Sequence, residues 1–257
     1  MSTIQPAQPA FSAFNQGDLP IIACFNKATV PLGVDFDALI AAMQAFIDDD
    51  VAPVWGSPAK LIKTNDFSPG KWAMVFLDNA DEPGALAYHD LTPDGLPLSK
   101  VFVKTTIANH DLVSVSASHE LVEMLVDPAI NLLCTGPDPK TVYAYESADS
   151  VEELSYLVKG IAMTDFVYPS YFENFRKPGS VQFDRLKKVN KPFQTLSGGY
   201  QIIFKNGKWS QVFGSEAKKK RFMKEDRRCH RSELRQKKKL VRADVKAIER
   251  AERYMSV

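Results

Sequence analysis

The sequence predicts an α+β protein: a mixed sheet laid over one buried helix, followed by a basic helical C-terminal tail. Three observations predict it. Short apolar runs bounded by turn residues alternate with one helix-periodic stretch before residue 110. The segment Asp111 to Val126 is apolar enough to be buried, yet it carries His119, Glu120 and Glu123. Charge is split along the chain: residues 214–257 hold 16 Lys and Arg against 7 Asp and Glu, a net of +9, which leaves −8 on the rest of a chain whose formal total is +1.

Met1 to Leu19, rich in Pro, Gln, Ser and Ala, is expected to be a loose arm. Residues 20–213 form the folded body. Pro20 to Phe25 reads as a buried strand, and Asp35 to Val51 as a helix capped by Asp35, with Phe36, Leu39, Ile40, Met43, Phe46 and Ile47 on its apolar face. Lys60 to Thr64 and Trp72 to Leu77 read as strands. Ala85 to His89 and Lys100 to Lys104 read as two more, around the turn Pro93-Asp94-Gly95. The helix from Asp111 follows, with Asp111 as its cap, and ends before Pro128 because the residue preceding proline is pushed out of the helical region. Beyond it the chain is rich in loops until Gly198 to Phe204 and Lys208 to Phe213, which read as a hairpin closed by Asn206-Gly207. The tail, 214–257, reads as basic helix with a thin apolar stripe at Leu234, Val241, Ile248 and Met255, interrupted by Lys238 and Glu252.

The helix carries the chemistry. Residues four apart lie one above the other on a helix, so His119 and Glu123 can grip one ion with Glu120 beside them as a base. This is the layout of the zinc-peptidase helix His-Glu-x-x-His with glutamate as the second ligand. The ordinary alternative is a core helix with three polar residues in solvent, and the spacing alone does not separate the two. A third ligand is sought downstream. Asp127 follows Glu123 by four residues, but Pro128 turns it off the helix. Glu146 and Asp149 stand in a run of four acids in eight residues, Glu146 to Glu153, which repel one another unless a cation is bound.

His119-Glu120-x-x-Glu123, Asp127-Pro128 and Glu146-x-x-Asp149 together resemble the pattern of zincin-like proteins, among them the plant EXORDIUM family. They are more similar still to bacterial and viral proteins sharing Ser-His-Glu-x-x-Glu-x-x-x-Asp-Pro. Ser155-Tyr156, Thr164 to Phe172 and Gly198-Gly199-Tyr200 extend the likeness, which covers Trp72 to Phe213. The resemblance implies a zincin-like metallopeptidase domain with His119, Glu123 and Glu146 as ligands. It further implies Asp149 as a fourth ligand or a partner to one, and Glu120 as the base. The expected cofactor is a divalent metal. Zinc comes first, and oxygen-rich ligation admits manganese or calcium. One histidine with two carboxylates leaves a zinc site formally neutral, which weakens its pull on water relative to a two-histidine site.

His89 is placed to reach a cleft from an edge strand or to serve as an ordinary strand-end residue. Tyr168 and Tyr171 are oxyanion donors or aromatic packing. Cys24, Cys134 and Cys229 show no paired spacing and read as reduced thiols. No apolar run approaches a membrane span, and Met1 to Gln16 has no leader-like pattern, so a cytoplasmic or virion location is expected. Three functions stand: a metal-dependent peptidase acting on a peptide or protein, a catalytically silent scaffold, and a nucleic-acid-binding protein in which the folded body is a carrier. The tail is expected to meet a partner protein, a second copy of the chain or nucleic acid; few aromatics and seven acids weigh towards the first two.

Overall fold

A computed structural model describes residues 19–65, 70–81, 85–92 and 95–222. Strand β1 (Ile21–Asn26) leads to helix α1 (Phe36–Ala45), capped as its sequence predicts: the Asp35 carboxylate accepts from the Ala38 N–H at 2.9 Å. A π-helical turn, Phe46–Val51, and α2 (Ala52–Trp55) prolong it to Gly56, whose left-handed φ of 69° ends the helix. Strands β2 (Lys60–Lys63), β3 (Trp72–Leu77), β4 (Ala87–Leu91) and β5 (Pro97–Phe102) complete a five-stranded sheet in the order β2-β1-β3-β5-β4. Four strands are parallel, and β4 pairs antiparallel with β5 at one edge. The sheet is therefore mixed, as the α+β reading expects.

The parallel pair β1 and β2 requires a crossover, which is α1, and α4 (Val113–Val126), following the last strand of the sheet, packs into the same core. There Cys24, Met74, Phe76 and Val101 of the sheet meet Leu39 and Met43 of α1, Phe46 of the π-helical turn, and Ala117, Leu121 and Val122 of α4 in one buried cluster. Two local expectations are corrected. The run Lys100 to Lys104 is strand only to Phe102, because the Lys104 N–H turns to the Asp78 carbonyl at 2.8 Å and Val103 opens helix α3 (Val103–Ala108). Asp111 does not cap α4. Leu112 holds the cap position without a side-chain bond, and the Asp111 carboxylate pairs with Arg221 at 2.7 Å.

The loop-rich half contains more strand than the sequence suggests. β6 (Leu133–Thr135) and β7 (Thr141–Ala144) join β10 (Tyr200–Lys205) and β11 (Lys208–Phe213) in an antiparallel sheet ordered β11-β10-β7-β6, while β8 (Ser155–Val158) and β9 (Ile161–Thr164) form a separate hairpin. The predicted turn at Asn206-Gly207 is present, both residues at positive φ of 52° and 76°. α4 lies between β4 and β5 on one side and β9 on the other, where the Thr164 N–H donates to Ser118 Oγ at 2.8 Å. Tyr171 and Tyr168 serve packing. Tyr171 sits among Phe172, Phe183 and Phe193, and the Tyr168 hydroxyl accepts from Gln182 at 3.1 Å.

The chain does not part from the body at Phe213. Helix α5 (Glu216–Phe222) begins the basic segment, and the buried Lys218 ammonium pairs with Glu152 and lies 5.9 Å from the Tyr200 ring centre. Lys218→Ala is expected to cost about 2–3 kcal/mol in urea unfolding, because Glu152 loses a buried counter-charge. Residues 1–18 and 223–257, and with them the expected arm, the apolar stripe and Cys229, lie outside the described residues. Among the described residues no helix is long and apolar enough to cross a membrane. Burial pushes the Cys24 and Cys134 thiols up to about 12, so neither is a thiolate near neutrality.

A buried acid pair lies beyond β9. Asp184 accepts the Lys188 and Val189 N–H groups at 2.9 Å each, while burial and the facing Asp184 carboxylate push Asp165 up to about 8. Asp165 thus keeps its proton in the folded chain and loses it near pH 4 when unfolded. A raised folded value means stability is fully present below about pH 4 and is lost as pH rises through about 8. Asp165→Asn, which mimics the protonated acid, is expected to flatten this fall. The check is the urea midpoint of wild type and variant at pH 5 and 8.5; parallel changes in both would contradict it.

Candidate metal centre

Helix α4 packs against the edge strand β4, and its polar stripe faces a buried cluster of acids and imidazoles. Its helical spacing brings His119 Nε2 to 3.5 Å from Glu123 Oε1, as the i, i+4 argument expects. Both side chains are at most 11% exposed, so the solvated-face reading of the helix does not hold. From across the cluster, Asp149 Oδ1 lies 3.2 Å from His119 Nε2, and the Ala148 N–H donates to Glu123 Oε1 at 3.1 Å.

The acidic segment is brought there by packing on both sides. Tyr145, just before Glu146, stacks on Phe172 with ring centres 4.1 Å apart and planes 11° from parallel. The Val167 N–H donates to the Ser147 carbonyl at 2.8 Å. The 3₁₀ turn Asp149–Val151 then lies beneath Gly199, where a β-carbon would stand 2.3 Å from the Ser150 carbonyl oxygen. Gly199 is needed for this close approach, not for an unusual dihedral.

His89 joins the cluster from β4. Its Nδ1 lies 3.1 Å from Glu120 Oε2 and 3.7 Å from Glu123 Oε2, and its Nε2 is buried without a hydrogen-bond partner. The ring's polar contacts are thus with the two helix carboxylates and not with its strand neighbours. Potential ligand atoms fall within 4.8 Å of one another in two trios, His89 with Glu123 and Glu146, and His119 with Glu120 and Glu123. The structure thus gathers His119, Glu120, Glu123, Glu146 and Asp149 at one site. It groups Glu146 with His89 and Asp149 with His119. Asp127 is not part of it. It is buried at the end of α4, where its two carboxylate oxygens accept the Asn131 and Leu132 N–H groups at 2.9 Å each and set the turn towards β6.

Four carboxylates and two imidazoles are buried together, so even two imidazolium ions leave a net charge of −2. The titration directions follow. Burial opposes charge on His89, but the Glu120 hydrogen bond and the fields of Glu120, Glu146 and Glu123 raise it to about 9. Burial likewise opposes charge on His119, and Glu123 and Asp149 hold it well above the usual imidazole range. Burial, then the charge of Glu123, raises Asp149 to about 7; burial and Glu146 raise Glu123. Such a site retains protons unless a cation replaces them. These His and Glu groups are close enough to bind a metal ion. Comparison with protein-family models, curated proteins and solved structures found no match to this chain.

Proposed function

We propose that the protein is a metal-dependent hydrolase of zincin-like architecture acting on peptide bonds. The observation that carries the reading is the burial of His119, Glu120 and Glu123 on one helix face, opposite Glu146 and Asp149. The arrangement of a mixed sheet over that helix, with an antiparallel edge strand beside the cluster, supports it.

His119 and Glu123 would hold the ion, and Glu146, grouped with Glu123 and His89, would complete the set. Asp149 Oδ1 faces the same His119 Nε2 as Glu123 does, on the ligating side of the ring, and would serve as a further ligand. When bound, a divalent ion supplies Lewis acidity and lowers the pKa of water. Glu120 takes the proton of the attacking water, held in place by His89 Nδ1 at 3.1 Å. The edge strand β4 offers backbone pairing to an extended peptide. The imidazole donor His119 favours zinc or manganese over calcium, since nitrogen donors suit transition metals.

Glu120→Gln keeps the size and the hydrogen bond but cannot accept a proton. It is expected to lower turnover of a peptide library by about 100-fold or more while leaving metal content unchanged. Equal cleavage by the two proteins would refute the assigned base, and no cleavage by either would favour a catalytically silent scaffold.

A further inference from the structure

The cluster is larger than one ion requires. Six ligating side chains converge on it, and the two trios share a single residue, Glu123. The two oxygens of Glu123 are divided between two imidazoles. Oε1 faces His119 at 3.5 Å and Oε2 faces His89 at 3.7 Å. A carboxylate whose oxygens face separate donor groups has the form of a bridge between neighbouring ions, which in two-metal hydrolytic sites stand about 3.5–4 Å apart. Charge gives the same count. Glu120, Glu123, Glu146 and Asp149 carry −4 when ionised, and two divalent ions cancel this with both imidazoles neutral, the form in which imidazole ligates.

We propose that the site holds two divalent ions bridged by Glu123, one bound by His89 and Glu146 and the other by His119 and Asp149, with Glu120 left as the base. This rests on the metal-site reading above and extends it, making His89 a ligand and not only the holder of Glu120. His89 had no expected ligand role, because its nearness to Glu123 depends on the placement of β4 beside α4.

The test is equilibrium dialysis of the full chain, stripped with chelator, against manganese(II), with metal counted per chain and the bound ions examined by electron paramagnetic resonance. Two ions per chain with an exchange-coupled spectrum are expected. His89→Gln and Glu146→Gln should each reduce the count to one and abolish the coupling. One ion per wild-type chain, or two without coupling, would overturn the bridge while leaving the metal site intact. No bound ion would overturn both readings. The wild-type count and spectrum decide the matter even if a variant fails to fold.

Discussion

His119→Ala is expected to remove most of the stabilisation that metal confers on this protein. A ligand that binds only the folded chain adds about 4 kcal/mol at a free concentration a thousand times its dissociation constant. For a body of this size that corresponds to about 8–16 °C in melting temperature. Wild-type protein should therefore melt well above its chelator-treated form, and the variant should show a much smaller difference with and without metal. The comparison is internal to each protein, so it is unaffected by the separate cost of removing the counter-charge that His119 offers Asp149 at 3.2 Å. A wild-type melting temperature that ignores zinc, manganese and calcium alike would contradict the assignment.

Gly199→Ala is expected to destabilise the fold by about 3 kcal/mol or more, from overpacking that cannot relax. The added methyl would meet the Ser150 carbonyl oxygen at 2.3 Å and the Asp149 carbonyl oxygen at 2.7 Å, both backbone atoms. Retreat is blocked, because the Leu196 N–H already donates to that Ser150 oxygen at 3.0 Å and Gly199 donates to Leu196 at 3.0 Å. The displaced backbone is that of Asp149, so metal affinity should fall together with stability. A melting temperature within about 2 °C of wild type would show that this approach can open at little cost.

Much of the fold was legible because its signals are local. Asp35 caps α1, Asn206-Gly207 turns β10 into β11, and the apolar run Trp72–Leu77 forms β3. Where tertiary contacts decide, the reading fell short. The run Lys100 to Lys104 reads as strand, yet its last two residues, Val103 and Lys104, open α3, with the Lys104 N–H held by Asp78. Asp111 looks like a cap and is instead drawn to Arg221, 110 residues away. The β8-β9 hairpin turns on Lys159 and Gly160, at φ of 49° and 80°, without the usual Asn-Gly signal.

The candidate site divides in the same way. His119, Glu120 and Glu123 are legible because helical period places them together whatever the rest of the chain does. Glu146 and Asp149 show through the density of acids in one loop. The role of His89 is not legible, because β4 lies beside α4 only through its pairing with β5, where His89 stands opposite Ser99. Alternation along a strand identifies a face but not the neighbour that covers it.

The most direct measurement is the metal content of full-length protein purified with neither added metal nor chelator, determined by elemental analysis beside His119→Ala. At least one divalent transition-metal ion per wild-type chain, and a clearly lower content in the variant, is the predicted result. Metal-free wild-type protein that also takes up no zinc or manganese on dialysis would contradict it, and would leave the buried carboxylates to be explained by protons alone.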